Sequence, residues 1–353
     1  MTHAVSLCGD RDPSVPWIRE VPLLTTPLCE RLGMTVPVVQ APVGSAVTPE
    51  LVAAVSDAGG LGMLALTWVA EEEAIQQIRQ VRERTDRPFG VNLVLDFPVS
   101  SVLAACLDAR AQIVSTFWGD PTEVGKVIHA AGALHLHTVG SVAEAKHAVQ
   151  ADVDVLVAQG WEAGGHIRGQ VSTTALVPAV VDVAGTLPVI AAGGIGDGRG
   201  LAAVLALGAQ AGWLGTRFLT ATEAASHAVY RRALIKASAE EAVVTHCFDG
   251  GWPNAPHRAL RNSTLRAWEA AGSPSAPCRP GEGEVIATDS RGRPHLRYDD
   301  MIPVPGVAGQ PEAMALYAGQ SVGLLHEEAP AGQIVTQIAR QAQETLAGLA
   351  GER

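Results

Sequence analysis

The chain has 353 residues, of which 47% are hydrophobic and 17% are charged, a composition typical of a folded globular protein rather than of a disordered chain. Its 25 lysines and arginines against 36 acidic residues give a formal net charge of −11, which excludes the general basic surface that nucleic-acid binding requires. Five scattered cysteines form no Cys-x-x-Cys pair, which argues against a disulfide framework or a structural zinc site and favours a reducing cytoplasm.

The amino terminus lacks a basic stretch followed by an apolar segment of signal-peptide length. No later segment reaches the roughly 18 uninterrupted apolar residues that a membrane span needs. We therefore expect a soluble, cytoplasmic protein with no membrane or nucleic-acid partner.

Between residues 36 and 240, short β-branched segments alternate with longer segments of helical period, and the cycle recurs about eight times. The predicted strands are Val36–Gln40, Leu61–Ala65, Phe89–Val94, Ile113–Ser115, Leu134–Thr138, Asp154–Ala158, Pro188–Ala191 and Gly212–Leu214. The predicted helices are Pro49–Asp57, Glu71–Arg84, Ser101–Asp108, Thr122–Ala130, Val142–Gln150, Leu176–Val183, Gly198–Leu207 and Glu223–Ala237. Because each parallel strand needs a crossover helix, eight such units predict an α/β fold, a closed (β/α)₈ TIM barrel. A doubly wound open sheet is the alternative.

The predicted domain organisation places the barrel at residues 31–240. It is preceded by an N-terminal extension, 1–30, and followed by a loop-rich insertion or cap, 241–310, and by C-terminal helices that pack on the barrel, 311–353. Within the cap, Ala271–Arg297 is rich in Gly, Pro and charge and is predicted to be a long or poorly ordered loop. Helical period returns in Glu312–Val322 and Ala331–Ala347, which predict two amphipathic helices.

Two glycine-containing loops follow the last two predicted strands of the barrel. The seventh strand leads into Gly193-Gly194-Ile195-Gly196, and the eighth leads into Gly215-Thr216. Exposed backbone N–H groups, a helix start and the Thr216 hydroxyl together predict an anion cradle, at the usual phosphate position of such barrels. Because the first loop departs from the dinucleotide pattern G-x-G-x-x-G, a mononucleotide such as FMN fits this cradle better.

A histidine follows the sixth predicted strand, in the loop Gln159–Gly169. His166 comes directly after Gly164 and Gly165, which let the backbone approach a flat ligand. An imidazole can accept or donate a proton near neutral pH, so His166 is a candidate general base. The alternative is a structural or surface histidine.

Five motifs at five strand ends resemble, in one order, the nitronate monooxygenase family, formerly called 2-nitropropane dioxygenases. They are Gln40-Ala41-Pro42, Pro88-Phe89-Gly90-Val91-Asn92-Leu93, the Gln159–His166 loop, Ala192-Gly193-Gly194-Ile195 and Gly215-Thr216-Arg217-Phe218. The resemblance covers roughly residues 30–240, and the final helices resemble the family more weakly.

The resemblance implies an FMN-containing barrel that oxidises nitronates or nitroalkanes with O₂ to a carbonyl compound and nitrite, without a metal. It implies His166 as the catalytic base. The cofactor contacts expected at or beside these motifs are Gln40, Ala41, Pro42, Asn92, Gln159, Gly164, Gly165, Gly193, Gly194, Gly215 and Thr216. The chain departs from many relatives at Val43-Gly44, where they have Met, and at His166-Ile167-Arg168-Gly169, where they have His-Arg-Gly. The partner of Arg168 is thus left open.

Four tryptophans fall at or near the carboxyl ends of the even-numbered predicted strands: Trp68, Trp118, Trp161 and Trp213. Aromatic side chains there are predicted to wall a broad apolar pocket over the flavin. We therefore expect a substrate bulkier than a two- or three-carbon nitroalkane. Core filling is the alternative for these residues.

His135-Leu136-His137 places two imidazoles on one face of a strand, but no third ligand lies nearby in the sequence, so no metal site is predicted. His137 is instead a candidate to face the barrel interior.

The sequence is also compatible with two other functions. An NAD(P)H-dependent FMN reductase of quinones or enoyl thioesters resembles the same family in the same motifs. A non-redox barrel enzyme would use the cradle for a substrate phosphate, although no lysine at a strand end offers Schiff-base chemistry. The expected partners are a small nitro or nitronate substrate and O₂, with a homodimer as one option.

Overall fold

A computed structural model describes residues 24–351 of the chain. Most of the predicted N-terminal extension, including Cys8, lies outside the described residues. The first described helix, α1, spans Pro27–Leu32. Its buried Leu28, Cys29 and Leu32 pack into the bottom of the inner core of the barrel.

Eight parallel strands form the predicted sheet, in the order β1, β9, β8, β6, β5, β4, β3, β2. An isolated parallel bridge between Val39 and Leu61 brings β1 beside β2, so the sheet closes on itself. All eight strand predictions are confirmed within two residues at either end. The strands are β1 Val38–Gln40, β2 Gly62–Ala65, β3 Phe89–Val94, β4 Ile113–Phe117, β5 Leu134–Val139, β6 Val155–Gln159, then the short β7 Gly165–His166 outside the barrel, β8 Val189–Ala192 and β9 Ala211–Leu214.

The helices between these strands are also close to the predicted ranges. They are α2 Pro49–Asp57, α3 Glu71–Arg82, α4 Ser100–Asp108, α5 Thr122–Ala130, α6 Val142–Gln150, α7 Thr173–Ala184, α8 Gly198–Ala206 and α9 Ala228–Lys236. The first turn of α2 shows the local cause: Thr48 Oγ1 accepts a hydrogen bond from Leu51 N–H at 3.0 Å, and Pro49 occupies the first helical position.

Strand alternation divides the apolar residues between two cores. Val39, Met63, Leu136 and Ile190 belong to the cluster inside the barrel. Their strand neighbours, such as Val38, face the helix layer. This period of two fixes which strand-end side chains face the mouth of the barrel.

The eighth helical position of the barrel is taken by the C-terminal helix, α11 Ala331–Leu349, and not by α9. Ile334, Ile338 and Ala342 of α11 share the outer core with residues of α2 and α8. A Cβ on Gly198 of α8 would lie 2.5 Å from Ile338 O, so the two helices are in close contact. Tyr230 and Leu234 of α9 pack instead with the insertion. The interpretation of α9 as a barrel helix was therefore wrong, although the helix at Ala331–Ala347 is confirmed.

The insertion contains more regular structure than predicted. Its elements are β10 Ala242–Thr245, β11 His257–Leu260, α10 Ser263–Ala270, β12 Val285–Thr288, β13 Pro294–Leu296 and β14 Ala308–Gly309. β10, β11 and β7 form one antiparallel sheet, and β12, β13 and β14 form another. The second sheet lies partly within Ala271–Arg297, where the sequence predicts a long loop.

The predicted helix at Glu312–Val322 is wrong. Its middle is extended beside β11, where Leu260 N–H donates to Leu316 O at 2.8 Å and Ala318 N–H donates to Arg258 O at 3.2 Å. Short 3₁₀ turns at Pro311–Ala313 and Gln320–Leu324 flank it. Pairing with a neighbouring strand has overridden the local helical pattern. None of the helices between residues 24 and 351 combines the length and the apolar character that a bilayer crossing requires.

Candidate active site at the barrel mouth

Two polar side chains in adjacent strands face the barrel interior near its mouth. Asn92 of β3 and Ser115 of β4 are register partners, and both are buried. Their neighbours Val91 and Val114 belong to the core under the helices, so alternation turns Asn92 and Ser115 inward. The Ser115 hydroxyl has no hydrogen-bond partner among the described residues. Since a buried polar atom without a partner is costly, this pair is suited to a polar ligand.

Gln159 ends β6 and holds the loop that follows it. Its Nε2 donates a hydrogen bond to His166 O at 3.2 Å, and its Oε1 accepts one from Arg168 N–H at 3.1 Å. Both groups of the amide are therefore engaged by the loop backbone. The observed role of Gln159 is to position His166, while its contact to a cofactor stays a prediction.

His166 lies in β7, which pairs with β11 of the insertion in register with His257. The centroid of the His166 ring is 4.3 Å from that of Trp252, 5.4 Å from that of His257 and 5.5 Å from that of Tyr317. Its Nε2 is buried and has no hydrogen-bond partner within residues 24–351. Burial first, and then His257, lowers the pKa of His166 to about 3. The imidazole is therefore neutral at pH 7, the form that accepts a proton.

His257 packs beside His166, and hydrogen bonds hold its ring in place. Its Nδ1–H donates to Ala255 O at 3.0 Å, and its Nε2 accepts from Phe248 N–H at 3.3 Å. Burial, the largest cause, lowers the pKa of His257 to about 4. Because both nitrogens are engaged and the ring is neutral at pH 7, His257 is suited to packing and not to proton transfer.

Arg258 anchors the loop before His166 to the insertion. Its guanidinium donates to Trp161 O at 2.6 Å, Ala242 O at 2.8 Å and Ala163 O at 3.1 Å. The side chain is almost fully buried, and burial lowers its pKa below the ordinary value. The three carbonyl dipoles compensate for the loss of water around the charge. A residue outside the barrel thus fixes the loop that carries His166.

Two of the four tryptophans predicted in the pocket wall meet at the mouth. The centroids of Trp68 and Trp118 are 6.4 Å and 4.7 Å from that of Trp252, which also packs on His166. Phe97 joins them at 5.2 Å from both Trp68 and Trp252. We call Trp68, Phe97, Trp118 and Trp252 the aromatic wall. Its exposed end is Trp68, which is 57% exposed, and Trp252 Nε1–H donates to Asp96 Oδ2 at 3.2 Å.

The other two tryptophans do not reach this wall. Trp213 points into the barrel and packs in the inner core with Ile190, so the core-filling alternative holds for it. Trp161 is half-buried, and the Arg258 guanidinium lies over its ring at 5.4 Å. Trp161 and Trp213 therefore lie outside the aromatic wall, and their contact with a substrate stays a prediction. A position near a strand end did not determine which way either ring turned.

The loop after β8 approaches the loop after β6 directly. Gly193 and Gly194 have φ angles of +97° and +73°, in the left-handed region that favours glycine. A Cβ on Gly193 would lie 2.9 Å from Gly160 O. Gly194 borders a cleft of about 750 Å³ that is also lined by Lys236 and Gln320. Glu162 and Glu240 line the same cleft, so the positive charge of Lys236 is opposed there by two acidic side chains.

Thr216, directly after Gly215, contacts the segment that leads to the last helix. Its Oγ1 accepts a hydrogen bond from Gly319 N–H at 2.9 Å, and its own proton has no acceptor among the described residues. A Cβ on Gly215 would lie 3.6 Å from Ala41 Cβ, so this loop passes close to the end of β1. Pro42 follows Ala41, and both are half-buried.

Gly164 and Gly165, predicted together as cofactor contacts, have different surroundings. A Cβ on Gly164 would lie 2.3 Å from Gly319 N, so this glycine permits close contact between two backbone segments. Gly165 has a φ angle of +69° and open space around its Cβ position. Open space of this kind leaves room for a ligand at Gly165 and not at Gly164.

The Gln40 side chain is separated from the mouth. Val39 faces the inner core, so Gln40 faces the helix layer and is fully buried. Its Oε1 accepts from Met63 N–H at 3.0 Å, and its Nε2 donates to Met63 O at 3.3 Å and also to Ala41 O. The amide therefore links β1 to β2, while the contact of Gln40 with the cofactor stays a prediction.

His135 and His137 also face the helix layer, since Leu136 between them belongs to the inner core. His137 therefore does not face the barrel interior. Thr116 Oγ1 lies 2.7 Å from His135 Nε2 and 2.7 Å from His137 Nδ1. Burial is the main cause that lowers the pKa of His135 to about 4 and that of His137 to about 3. This contact network gives the pair a structural role.

Sequence reasoning missed Trp252, His257, Arg258 and Tyr317, all outside residues 31–240. The segment His257–Leu260 is short, and its pairing with β7 joins residues about 90 positions apart. A weak signal was present: Gly250-Gly251-Trp252 places a large aromatic ring directly after two glycines. Such a pattern is typical of a ring carried on a turn.

We expect the free energy of unfolding to fall as the pH is lowered from 6.5 toward 4. His135, His137, His166 and His257 have pKa values of about 3 to 4 in the folded chain. Below 6.5 each is protonated in the unfolded chain but not in the folded one, so stability is lost as the pH falls. Asp300 acts oppositely, because burial raises its pKa to about 6 and it releases a proton on unfolding.

Four histidines less one carboxylate give a net uptake of about three protons, or ~4 kcal/mol per pH unit at the steepest point. Urea unfolding at pH 7, 6 and 5 measures this slope. An unfolding free energy that stays constant over these values would contradict the assignment of buried neutral histidines.

The chain is similar to known proteins over most of its length. The nitronate monooxygenase family model matches residues 25–102 and 98–341. A nitronate monooxygenase of Paraburkholderia phytofirmans is 31% identical over 366 residues, covering 89% of this chain and 94% of that protein. The (3aS,4S,5R,7aS)-5-hydroxy-7a-methyl-1-oxo-octahydro-1H-indene-4-carboxyl-CoA dehydrogenase of Mycobacterium tuberculosis is 38% identical over 250 residues, covering 70% of this chain and 69% of that protein.

Among solved structures, FabK from Thermotoga maritima is similar over most of its length. The TM-score is 0.80 and the identity 33%, with 94% of this chain and 100% of that chain covered. The likeness includes the barrel and extends into the insertion. With the family model matching nearly all described residues, the chain belongs to the nitronate monooxygenase family of oxidoreductases.

Proposed function

We propose that this enzyme uses FMN to oxidise nitronates, and nitroalkanes after loss of their α-proton, with O₂ to a carbonyl compound and nitrite. The observation that carries the proposal is the neutral, enclosed His166, whose Nε2 has no partner and whose ring lies against the aromatic wall. A neutral imidazole can accept a proton from a carbon acid, and the nitronate anion formed beside it would raise its pKa again.

The residues at the mouth fit a flavin. Ser115 Oγ is buried without a partner, and the Thr216 hydroxyl proton has no acceptor among the described residues. A flat ring system with polar edges and one phosphate would satisfy such atoms. When bound, FMN would supply a two-electron acceptor that O₂ can reoxidise.

The parts of the mouth divide naturally between the ends of FMN. Asn92 and Ser115 offer uncharged polar groups for the edge of the ring. Gly194, Gly215 and Thr216 offer backbone N–H groups and a hydroxyl for the phosphate.

His166 would act at Nε2. A nitroalkane would transfer its α-proton to this nitrogen, between the rings of Trp252 and Tyr317. The nitronate anion formed in the same step would compensate for the loss of water around the imidazolium. A nitronate supplied directly skips this transfer. The ring is held in place by Gln159, which bonds its backbone, and by the pairing of β7 with β11.

A second candidate is an FMN-dependent dehydrogenase or reductase of thioesters. The relative that is 38% identical is named a carboxyl-CoA dehydrogenase, which favours this alternative. The third candidate is a non-redox phosphate-binding enzyme. Because the chain belongs to an oxidoreductase family, this candidate is not favoured.

Anaerobic mixing separates the first two functions. Purified holoenzyme is mixed without O₂ with ethyl nitronate, with phenylmethyl nitronate, and with NADH or NADPH, and the flavin absorbance is followed. We expect rapid bleaching by a nitronate and nitrite formation once air is admitted. Bleaching by NADH or NADPH with none by either nitronate would reject the proposal in favour of the reductase.

Thr216→Val should weaken FMN binding about tenfold to a hundredfold. Valine keeps the shape of threonine but removes the hydroxyl, and with it both the proton that has no acceptor among the described residues and the oxygen that accepts from Gly319 N–H. The loss of one charge-assisted hydrogen bond to a phosphate accounts for this range. Titration of apoprotein with FMN gives the dissociation constant. Thr336→Val on the exposed face of α11 is the matched control. An unchanged constant in Thr216→Val would remove this residue from the phosphate site.

The aromatic wall should favour substrates larger than two or three carbons. We expect kcat/KM for phenylmethyl nitronate to exceed that for ethyl nitronate about tenfold or more, since burial of an aromatic ring contributes beyond its area. The measurement is initial-rate nitrite release with both substrates. A clear preference for ethyl nitronate would contradict a substrate-binding role for Trp68, Phe97, Trp118 and Trp252.

For the cellular setting, we propose a cytoplasmic enzyme, because the described cysteines are unpaired and three of the four are buried.

A further inference from the structure

Arg168 is held at the mouth from two sides. Its guanidinium lies over the Trp118 ring at 4.8 Å, and its Nε donates to Glu144 Oε1 at 2.7 Å. The other oxygen of Glu144 accepts from Gly140 N–H at 2.8 Å, so the carboxylate is itself fixed. The terminal Nη1 and Nη2 groups of Arg168 have no partner among the described residues. This arrangement presents a preoriented pair of donors to solvent at the mouth.

Trp118 supplies a second, independent sign of a ligand. Its φ angle is +61°, a left-handed conformation that is unfavourable for a bulky residue. Its indole Nε1 is buried and has no partner within the described chain. Backbone strain and an unsatisfied buried donor in one residue are typical of functional sites.

An uninterrupted series of contacts joins the imidazole to the guanidinium. His166 lies 4.3 Å from Trp252, Trp252 lies 4.7 Å from Trp118, and Trp118 lies 4.8 Å from the Arg168 guanidinium, measured between ring centroids or to the guanidinium carbon. This series of rings is apolar along its length, with Trp118 8% and Trp252 6% exposed, and it is cationic at its far end. A flat apolar molecule with an anionic group at one end matches both features.

We propose that Arg168 determines substrate specificity by binding a carboxylate at the far end of an aromatic or polycyclic substrate. The body of this substrate would lie along Trp118 and Trp252, with its reacting carbon at His166. The identity of the reacting carbon rests on the proposed function, but the binding of the carboxylate does not. Arg168 is well suited to this role because its fork of donors matches the two oxygens of a carboxylate.

An inert pair of ligands tests the anion site. 2-Naphthoate and 2-naphthamide have the same ring system and differ in charge, and their binding to holoenzyme is followed by tryptophan fluorescence and by the flavin spectrum. We expect naphthoate to bind wild-type protein at least tenfold more tightly than naphthamide. Arg168→Gln should weaken naphthoate binding about tenfold to a hundredfold, so that the preference for the anion disappears. Arg168→Lys should restore part of it.

Arg340→Gln is the matched control, because Arg340 forms an exposed ion pair with Glu344 on α11. Equal naphthoate affinities in wild type and Arg168→Gln, or equal affinities of wild type for the two ligands, would overturn the proposal. Naphthoate is not oxidised, so this result is independent of nitronate turnover. A failure to release nitrite would count against the proposed function and leave the anion site standing.

Discussion

His166→Asn should give a yellow enzyme that turns over neutral nitroalkanes about 100-fold to 10,000-fold more slowly, with a much smaller loss on preformed nitronates. Asparagine has no nitrogen that accepts a proton at neutral pH, so the carbon acid keeps its α-proton. The nitronate has already lost that proton, and its oxidation needs no base. The measurement is kcat/KM for nitroethane and for ethyl nitronate, with flavin content determined on the same preparation.

His129→Asn is the control for His166→Asn. His129 lies on α5, where its Nε2 is 2.9 Å from Asp154 Oδ2 on the outside of the barrel. We expect this variant to retain both activities. If His166→Asn lost nitroalkane and nitronate turnover equally, His166 would not be the base.

Arg258→Met should destabilise the folded protein by about 3 kcal/mol or more. The substitution leaves the carbonyl oxygens of Trp161, Ala163 and Ala242 buried without their donor, at about 1–3 kcal/mol for each unsatisfied group. Methionine fills much of the same volume, so the loss reports chiefly on the hydrogen bonds. Urea unfolding of wild type and variant at pH 7 measures the difference.

Arg261→Met provides the matched control three residues away. Arg261 pairs with Glu269 at the surface, where an ion pair contributes less than about 1 kcal/mol. Arg258→Met should also lower kcat while the protein remains folded, because the 161–166 loop loses its anchor to the insertion. Equal stability of the two variants would contradict the role assigned to Arg258.

The barrel was predictable because its signals are local. Each buried strand, such as Phe89–Val94, is a short β-branched segment between helical segments with their own caps and glycines. Gly193 and Gly194 are likewise readable, since a left-handed backbone beside another loop favours glycine whatever surrounds it. Eight repetitions of one unit then determine the closed sheet.

The predictions that were wrong concern segments whose structure depends on contacts with residues distant in sequence. The helical period of Glu312–Val322 is real, but pairing with His257–Leu260 gives its backbone an extended partner. Likewise, nothing within Ala228–Lys236 tells it apart from a barrel helix. Its position depends on α11, which occupies the groove between α2 and α8.

The candidate site likewise has residues that could be found from the sequence and residues that could not. Its glycines, Asn92 and His166 belong to barrel strand ends and were found from the sequence. Trp252, His257 and Arg258 come from the insertion, whose first sheet pairs with β7 to complete the surroundings of the imidazole. The direction of a strand-end side chain also needs the structure, because a shift of one residue turns Gln40 to the helices and Ala41 to the mouth.

The most direct test is the visible absorption spectrum of the purified protein, followed by identification of any flavin released on denaturation. If the mouth of this barrel holds a mononucleotide beside His166, the protein has flavin bands and releases FMN at close to one molecule per chain. A colourless preparation that also fails to bind added FMN would contradict the proposal that the mouth of the barrel binds this cofactor.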